Sequence, residues 1–307
     1  MILIFNITGG FTDMLKDLLC IYKFTNLYKI YFTIKQCTCR HFSNPCHFGQ
    51  YDVEELFDVS SFINNPFYVN YKEIENNITH KNTYDFFSDK VKGNLFQSIQ
   101  SEKRIKMREI FSTIIKLFNE QAKEFIFVGG GFRDYSYLDN VHERMEIVKT
   151  IKPSKKIQIE YDKNINILPK LYNLIHYRYE DDWIPYLKKN NLPYIIPPID
   201  ELIEHIPFKE DYKIYICTSQ INALQEKGLL YNNLNTYDII LTKIENDLNF
   251  DENGFLDFLI GMNAQEVYCG IGGFSQALNV LKGTNNYYHK MEIFAKYDIL
   301  CDQTIDR

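Results

Sequence analysis

Residues 174 to 183 read Leu-Ile-His-Tyr-Arg-Tyr-Glu-Asp-Asp-Trp, an apolar run ending in one arginine, three consecutive carboxylates and the only tryptophan of the chain. A guanidinium is always charged and offers a planar fork of donors, so Arg178 suits a phosphate or pyrophosphate better than a lysine would. Glu180, Asp181 and Asp182 are placed to hold that fork or to do acid/base work. The same decapeptide also fits a strand end followed by a solvated charged turn.

Chemistry of this kind needs a strand to deliver it. Leu171, Tyr172, Leu174, Ile175 and Tyr177 are apolar or aromatic enough for a buried strand, and charge arrives abruptly at Arg178. In open α/β sheets, ligands sit at the carboxyl ends of strands. The second half of the chain supplies neighbours. Helices are expected over 183–189, 199–206, 219–227 and 252–263, alternating with strands near Tyr194 and over 213–218, 237–242 and 266–269. Repeated βα units of this length predict a parallel, doubly wound sheet. Two more strand ends then converge on the crevice beside Arg178: the pair Thr218-Ser219, and the turn from Gly270 through Gly272, Gly273 and Phe274 to Ser275. That turn opens a helix running to Lys282, so it serves either as an N-cap or as a phosphate cradle.

The first half reads differently. Ile2 to Ile7 is a buried strand, Thr8-Gly9-Gly10-Phe11-Thr12-Asp13 a glycine turn, and Leu15, Leu18, Leu19 and Tyr22 recur at helical spacing. Two glycines let a backbone approach a ligand, and a helix N-terminus offers N–H groups to an anion or a sugar hydroxyl. A plain tight turn explains the pair equally well. Lys29 to Ile34 is a second strand, followed by Cys37, Cys39, His41, Cys46 and His47, whose spacing matches no common zinc site, so a loop with ordinary cysteines and no metal is expected. From Asp52 to Ser101 the pattern is irregular, with a short helix at 52–57. Met107, Ile110, Phe111, Ile114, Ile115 and Phe118 mark an amphipathic helix. A third strand at Glu124 to Val128 closes at Gly129-Gly130-Gly131, and a helix covers 141–151. Residues 153–166 are polar without an apolar period, which places a domain boundary there. The expected division is therefore 1–152, 153–285 and a terminal helix within 286–307.

Bulk properties bound the function. A chain of 307 residues has room for two domains, and 45% hydrophobic with 24% charged residues is the composition of a soluble globular protein. A net charge of -6 and a pI near 5.7 argue against a nucleic-acid partner. Met1 to Phe5 is too short an apolar run for a signal peptide, and no stretch is long enough to span a membrane. Seven scattered cysteines fit reduced thiols better than a disulfide framework, so a cytosolic protein is expected.

The run His176-Tyr177-Arg178-Tyr179-Glu180-Asp181-Asp182 resembles the His-x-Arg motif of the fucosyltransferase superfamily that includes the protein O-fucosyltransferases. Gly9-Gly10-Phe11 looks like that family's first glycine turn, and Tyr215-Ile216-Cys217-Thr218-Ser219 resembles one of its strand ends. The stretch Leu256 to Ser275 is similar to a late segment in which a strand and glycine precede a Ser-Ser-Phe-Ser turn. These elements follow one another in family order.

The resemblance implies a GT-B architecture: two Rossmann-like doubly wound domains, with GDP-fucose held mainly by the second. It implies an inverting transfer to a hydroxyl of a glycan or protein, with no metal and no cofactor beyond the donor substrate. Arg178 would stabilise the departing diphosphate, where negative charge develops. Gly9, Gly10, Phe11, His176, Glu180, Thr218, Ser219, Gly273, Phe274 and Ser275 would complete the donor site. Asp13 is the candidate base for the acceptor hydroxyl, or else a favourable charge in the first helical turn. The chain departs from the family at Asp13-Met14, at Thr218-Ser219 and at the glycine pair before Phe274. Two alternatives stand: transfer from another nucleotide sugar, and non-catalytic binding of a nucleotide sugar or glycan.

Overall fold

A computed structural model describes residues 1–41, 44–85, 112, 115–116, 120, 123–128, 141–177, 197, 199–209, 212–218, 239–240, 246–270, 272–288 and 291–293. The chain divides into two compact units, 1–157 with 249–252, and 158–248 with 253–307. The expected helices at 183–189 and 219–227, most of the one at 107–118, the strand near Tyr194 and the turn at 129–133 lie outside the described residues.

In the first unit, among the described residues, β1 (Ile2–Thr8) is the middle of a five-stranded sheet ordered β3-β2-β1-β5-β4. The others are β2 (Tyr31–His41), β3 (Asn44–Tyr51), β4 (Thr83–Asp85) and β5 (Phe125–Phe127). Among the described residues only the β2–β3 pair of this sheet is antiparallel. A central parallel strand is covered on both faces, and Leu3, Ile4, Phe5 and Ile7 are accordingly all buried. Helix α1 (Phe11–Tyr28) buries Met14, Leu15, Leu18, Leu19, Ile21 and Phe24 around most of its circumference, as an interior helix does. Tyr22 and Phe62 meet edge to face, as do Phe32 and Tyr68, so aromatic residues fill the gap between α1, β2 and the 3-10 turn at Val59–Asn64. Lys29 ends α1 in the left-handed conformation, its N–H bonded to the Thr25 carbonyl.

Two expectations from the sequence are corrected. The cysteine-rich stretch is a strand pair and not a loop: β2 continues beside β1 as far as Thr38, and Cys37 pairs with Tyr51 of β3. Its cause is the antiparallel ladder with the next strand, β3, with β1 alongside as far as Thr38, and composition alone encodes neither pairing. Residues 155–167, part of the polar stretch expected to carry a domain boundary without an apolar period, form helix α3 after α2 (Val141–Thr150), and all but its first three residues belong to the second unit. Its buried face runs through Ile157, Asn164 and Leu168, and the polar Asn164 interrupts the apolar period. Asn164 is accommodated by donating its side-chain N–H to the Glu160 carbonyl at 2.8 Å.

Among the described residues the second unit carries a four-stranded sheet, all of its pairs parallel, in the order β8-β7-β6-β9. The strands are β6 (Asn173–His176), β7 (Ile214–Cys217), β8 (Ile239–Ile240) and β9 (Val267–Cys269). Side chains alternate across the pleat. On one face Ile175, Tyr177, Ile214 and Ile216 pack against Ile199, Leu202, Ile203 and Ile206 from helix α4 (Ile199–His205) and its end. On the other lie α5 (Phe250–Asn263) and α6 (Gly273–Lys282), joined to the sheet by contacts such as the Tyr172 hydroxyl donating to the Ile260 carbonyl at 2.6 Å. Lys282 closes α5 by donating to the carbonyls of Met262 and Ala264 at 3.2 and 2.7 Å, and its burial lowers its pKa.

The helix expected from Asn286 onward does not start there. Cys269 donates its N–H to the Asn286 carbonyl, and Tyr287 bridges to Cys269 in parallel, so the chain is extended beside β9. Buried Asn279 of α6 holds this segment, accepting from the Thr284 hydroxyl and the Asn286 N–H at 2.7 and 3.0 Å. Among the described residues no helix is long and apolar enough to cross a membrane.

Candidate functional site

Strand β6 lies between β7 and β9, and its last residue, His176, is in register with Cys217 on one side and Cys269 on the other. Register partners in parallel strands point to the same face, so these three side chains form a row at the carboxyl edge of the sheet. His176 is 7% exposed. Its Nδ1 lies 2.8 Å from the Ser275 hydroxyl oxygen, and Phe274 stacks on its ring at 4.5 Å between centroids. Phe258 of α5 meets Phe274 edge to face and supports the stack from behind. Ser275 is fully buried and also hydrogen-bonds Cys269, whose thiol burial pushes well above its ordinary pKa. Thr218 follows β7 directly and is buried at the same edge.

Two glycines make this edge possible. Gly272, the residue before α6, has φ 126°, a conformation that side chains rarely adopt, and this sharp entry brings Phe274 and Ser275 back onto β6. Gly270 donates its N–H to the His176 carbonyl, and a Cβ there would overlap the Tyr288 hydroxyl, with the ring carbon behind it at 3.1 Å. Tyr288 is 2% exposed, so moving its ring disturbs the core it packs in. Gly270→Ala is therefore expected to cost about 1–3 kcal/mol, the range for overpacking a filled core, as read by denaturant unfolding.

In the first unit, Gly9 takes φ 104° and Gly10 precedes α1 without any side chain to cap it. The cap comes from far along the chain. Asp251, 2% exposed, accepts the Phe11 N–H at 2.8 Å across a separation of 240 residues. A carboxylate at a helix N-terminus is favourable both as an acceptor and as a charge. It also places a negative group where the sequence suggested an anion would sit. Asp251 is itself held in the first turn of α5 by a capping box, in which Asn249 accepts from Glu252 N–H at 2.9 Å and Glu252 accepts from Asn249 N–H at 2.6 Å. Asp13 lies in the first turn of α1, its carboxylate 3.9 Å from the Lys16 ammonium.

The expected site residues thus fall in two groups. Gly9, Gly10, Phe11 and Asp13 belong to the first unit, and His176, Thr218, Gly273, Phe274 and Ser275 to the second. Arg178, Glu180 and Ser219 lie outside the described residues. Sequence reasoning missed Asp251, Cys269 and Tyr288. The Asn-x-x-Glu pattern at 249–252 would have extended α5 backward to include Asp251, whereas nothing local points to the other two.

No protein-family model and no curated protein matches this sequence. Solved structures do. POFUT1 in complex with GDP-fucose is 14% identical with a TM-score of 0.60, over 93% of this chain and 97% of that one. POFUT1 in complex with GDP gives 0.56 at the same identity, over 93% and 96%. The NodZ alpha-1,6-fucosyltransferase soaked with GDP-fucose is 13% identical with a TM-score of 0.53, over 91% and 92%. The chain has an α/β, GT-B-like fold of the kind found in these fucosyltransferases.

Proposed function

We propose that this protein is a glycosyltransferase that moves fucose from GDP-fucose to a hydroxyl of a glycan or protein acceptor, with inversion and without a metal. The observation that carries this reading is the cluster of His176, Phe274 and Ser275, with Thr218 after the neighbouring strand, at the carboxyl edge of a parallel sheet. It stands in a fold shared along nearly the whole chain with a protein crystallised with GDP-fucose. In the transfer, the acceptor oxygen bonds to the anomeric carbon as the bond to the β-phosphate oxygen breaks, and GDP leaves with the electron pair. Arg178 meets the charge that develops on the leaving group, work that a metal does elsewhere. Asp13 takes the acceptor proton. The donor phosphates go to the second unit, since Asp251 already occupies the Phe11 amide of the first.

Thermal shift and titration with GDP, GDP-fucose, GDP-mannose, UDP and UDP sugars, with and without magnesium, test the reading. A ligand that binds only the native state adds about 2.7 kcal/mol at a hundredfold excess over its Kd. Stabilisation by GDP and GDP-fucose that needs no magnesium is expected. A response to UDP alone redirects the donor assignment, and a folded protein that no guanine nucleotide stabilises removes it.

A further inference from the structure

Strand β2 does not run evenly beside β1. Phe5 pairs with Ile34 and Asn6 with Gln36, so Lys35 is an extra residue, a bulge in a parallel ladder. Bulges re-aim side chains and gather next to functional sites. Ile4 is in register with both Thr33 and Phe127, and alternation adds Asn6, so these four share one face of the sheet. Lys35 is on that face too: its ammonium stands 5.3 Å from the centre of the Phe127 ring, which it reaches from β2 by crossing over β1 beside Ile4 and Asn6. Around Ile4 this face is closed by Ile74 and Phe125, with Val69 and Tyr71 against them. At the bulge its character becomes polar. Asn6, Lys35, Gln36 and Phe127 are half-buried. Asn6 Oδ1 and Thr33 Oγ1 are shielded from solvent and have no hydrogen-bond partner among the described residues. Among those residues the Lys35 ammonium has the Phe127 ring beside it and no carboxylate. Buried oxygens without a donor are costly, and a cation next to them calls for an outside group.

We propose that the face of β1 and β2 around the Lys35 bulge binds an acidic sugar unit, with Lys35 on its carboxylate and Asn6 on a hydroxyl. The chemistry of the side chains defines this class. A lysine without a carboxylate partner takes an anion, and an amide oxygen accepts only, so the ligand must carry negative charge and also donate hydrogen bonds. A sugar acid does both. An inorganic anion would meet Lys35 and leave Asn6 without a donor, and a neutral sugar would do the reverse. The amide torsion of asparagine is soft, so turning it presents the Asn6 oxygen to the ligand. Thr33 is 0% exposed and is served by a bound water instead. The Phe127 ring supplies apolar surface for the C–H side of the sugar. Asn6 is three residues before the Gly9-Gly10 turn and in the same unit as Asp13. Binding stands on these side chains alone, while its use rests on the transferase reading given above, in which the acidic sugar belongs to the acceptor glycan.

The test is a chemical-shift titration of the full nitrogen-15-labelled chain with glucuronate, glucose and inorganic phosphate, following the Asn6 side-chain amide, whose signal is identified by its loss in Asn6→Asp. Glucuronate is expected to shift that signal and to bind more tightly than either of the other two. Lys35→Gln should weaken glucuronate binding about ten- to a hundredfold, the worth of a hydrogen bond to a charged group, and leave glucose unchanged. Lys35→Arg keeps the charge and should retain the preference. Asn6→Asp, nearly the same shape but negative, should abolish it; if that variant does not fold, the two Lys35 variants decide. A wild type whose Asn6 signal glucuronate does not shift overturns the proposal, as does binding that Lys35→Gln leaves unchanged. Phosphate bound as tightly as glucuronate overturns the sugar assignment, and glucose bound as tightly overturns the charge assignment. Glucuronate bound at Asn6 by a protein that no guanine nucleotide stabilises supports the binding site and removes the transferase reading instead.

Discussion

Arg178→Ala is expected to lower fucosyl transfer roughly a hundred- to a thousandfold, about 2.7–4 kcal/mol, while leaving the unfolding transition in place. The expectation rests on where charge appears. In the ground state the donor's phosphates already carry their charges and are solvated, but as the sugar bond breaks an additional negative charge grows on the β-phosphate oxygen. A fixed cation aimed at that oxygen strengthens its contact in the transition state and so acts on turnover more than on donor affinity. Arg178→Lys keeps the charge and loses the fork, and should fall between the two. Steady-state kinetics with GDP-fucose, beside a melting curve for each variant, give the comparison. Equal turnover in wild type and Arg178→Ala would remove this residue from the chemistry. A fall in melting temperature with no separate loss of turnover would make it a structural residue.

A steep loss of stability above about pH 10 is expected, carried by buried tyrosines. Tyr22, Tyr172 and Tyr215 are 3%, 1% and 2% exposed, and desolvation raises the pKa of each above its ordinary value near 10. Neighbouring groups add to this: Tyr68 acts on Tyr22, Tyr161 on Tyr172, and Asp257 on Tyr215. Because the folded pKa lies above the unfolded one, the unfolded chain loses these protons first. Their contribution is complete below pH 10 and declines as pH rises beyond it, by about 1.4 kcal/mol per pH unit for each tyrosine. Cys269, raised in the same sense, begins its decline lower, near the ordinary thiol pKa of about 8.5. Lys282 works in the opposite direction, since burial lowers its pKa and rising pH relieves that cost, but it is one group against several. Tyrosinate absorbance and far-ultraviolet circular dichroism recorded together provide the measurement. Coincident, cooperative transitions are expected, and gradual tyrosine titration in a chain that stays folded would contradict the argument.

Much of the second unit was legible because its units are short and repetitive. Asn173–His176, Ile214–Cys217 and Val267–Cys269 are apolar runs closed by polar or glycine-rich residues, and each became a strand within one or two residues of its expected ends. Their order in space was not legible. Nothing in the sequence says that β6 lies between β7 and β9, yet that placement aligns His176 with two cysteines and with Ser275. The misses share a cause. Asn164 sits in a buried helical stripe that an apolar residue would have marked, and the stretch Cys37 to His41 became strand through its ladder with β3, with β1 beside it only as far as Thr38.

By itself the sequence determined an α/β chain with a parallel sheet, a glycine turn after its first strand, and a histidine and a serine at two strand ends that resemble a fucosyltransferase pattern. Those features are local, since the period of burial and the backbone freedom of glycine are written in neighbouring residues. Only the tertiary structure decided which groups touch. It placed Asp251 on the Phe11 amide from 240 residues away, set Tyr288 against Gly270, and buried Ser275 so that its hydroxyl faces His176. Contacts of this kind depend on where strands and helices come to rest against one another. A short apolar run is compatible with many such arrangements, and packing and hydrogen-bond satisfaction select one of them.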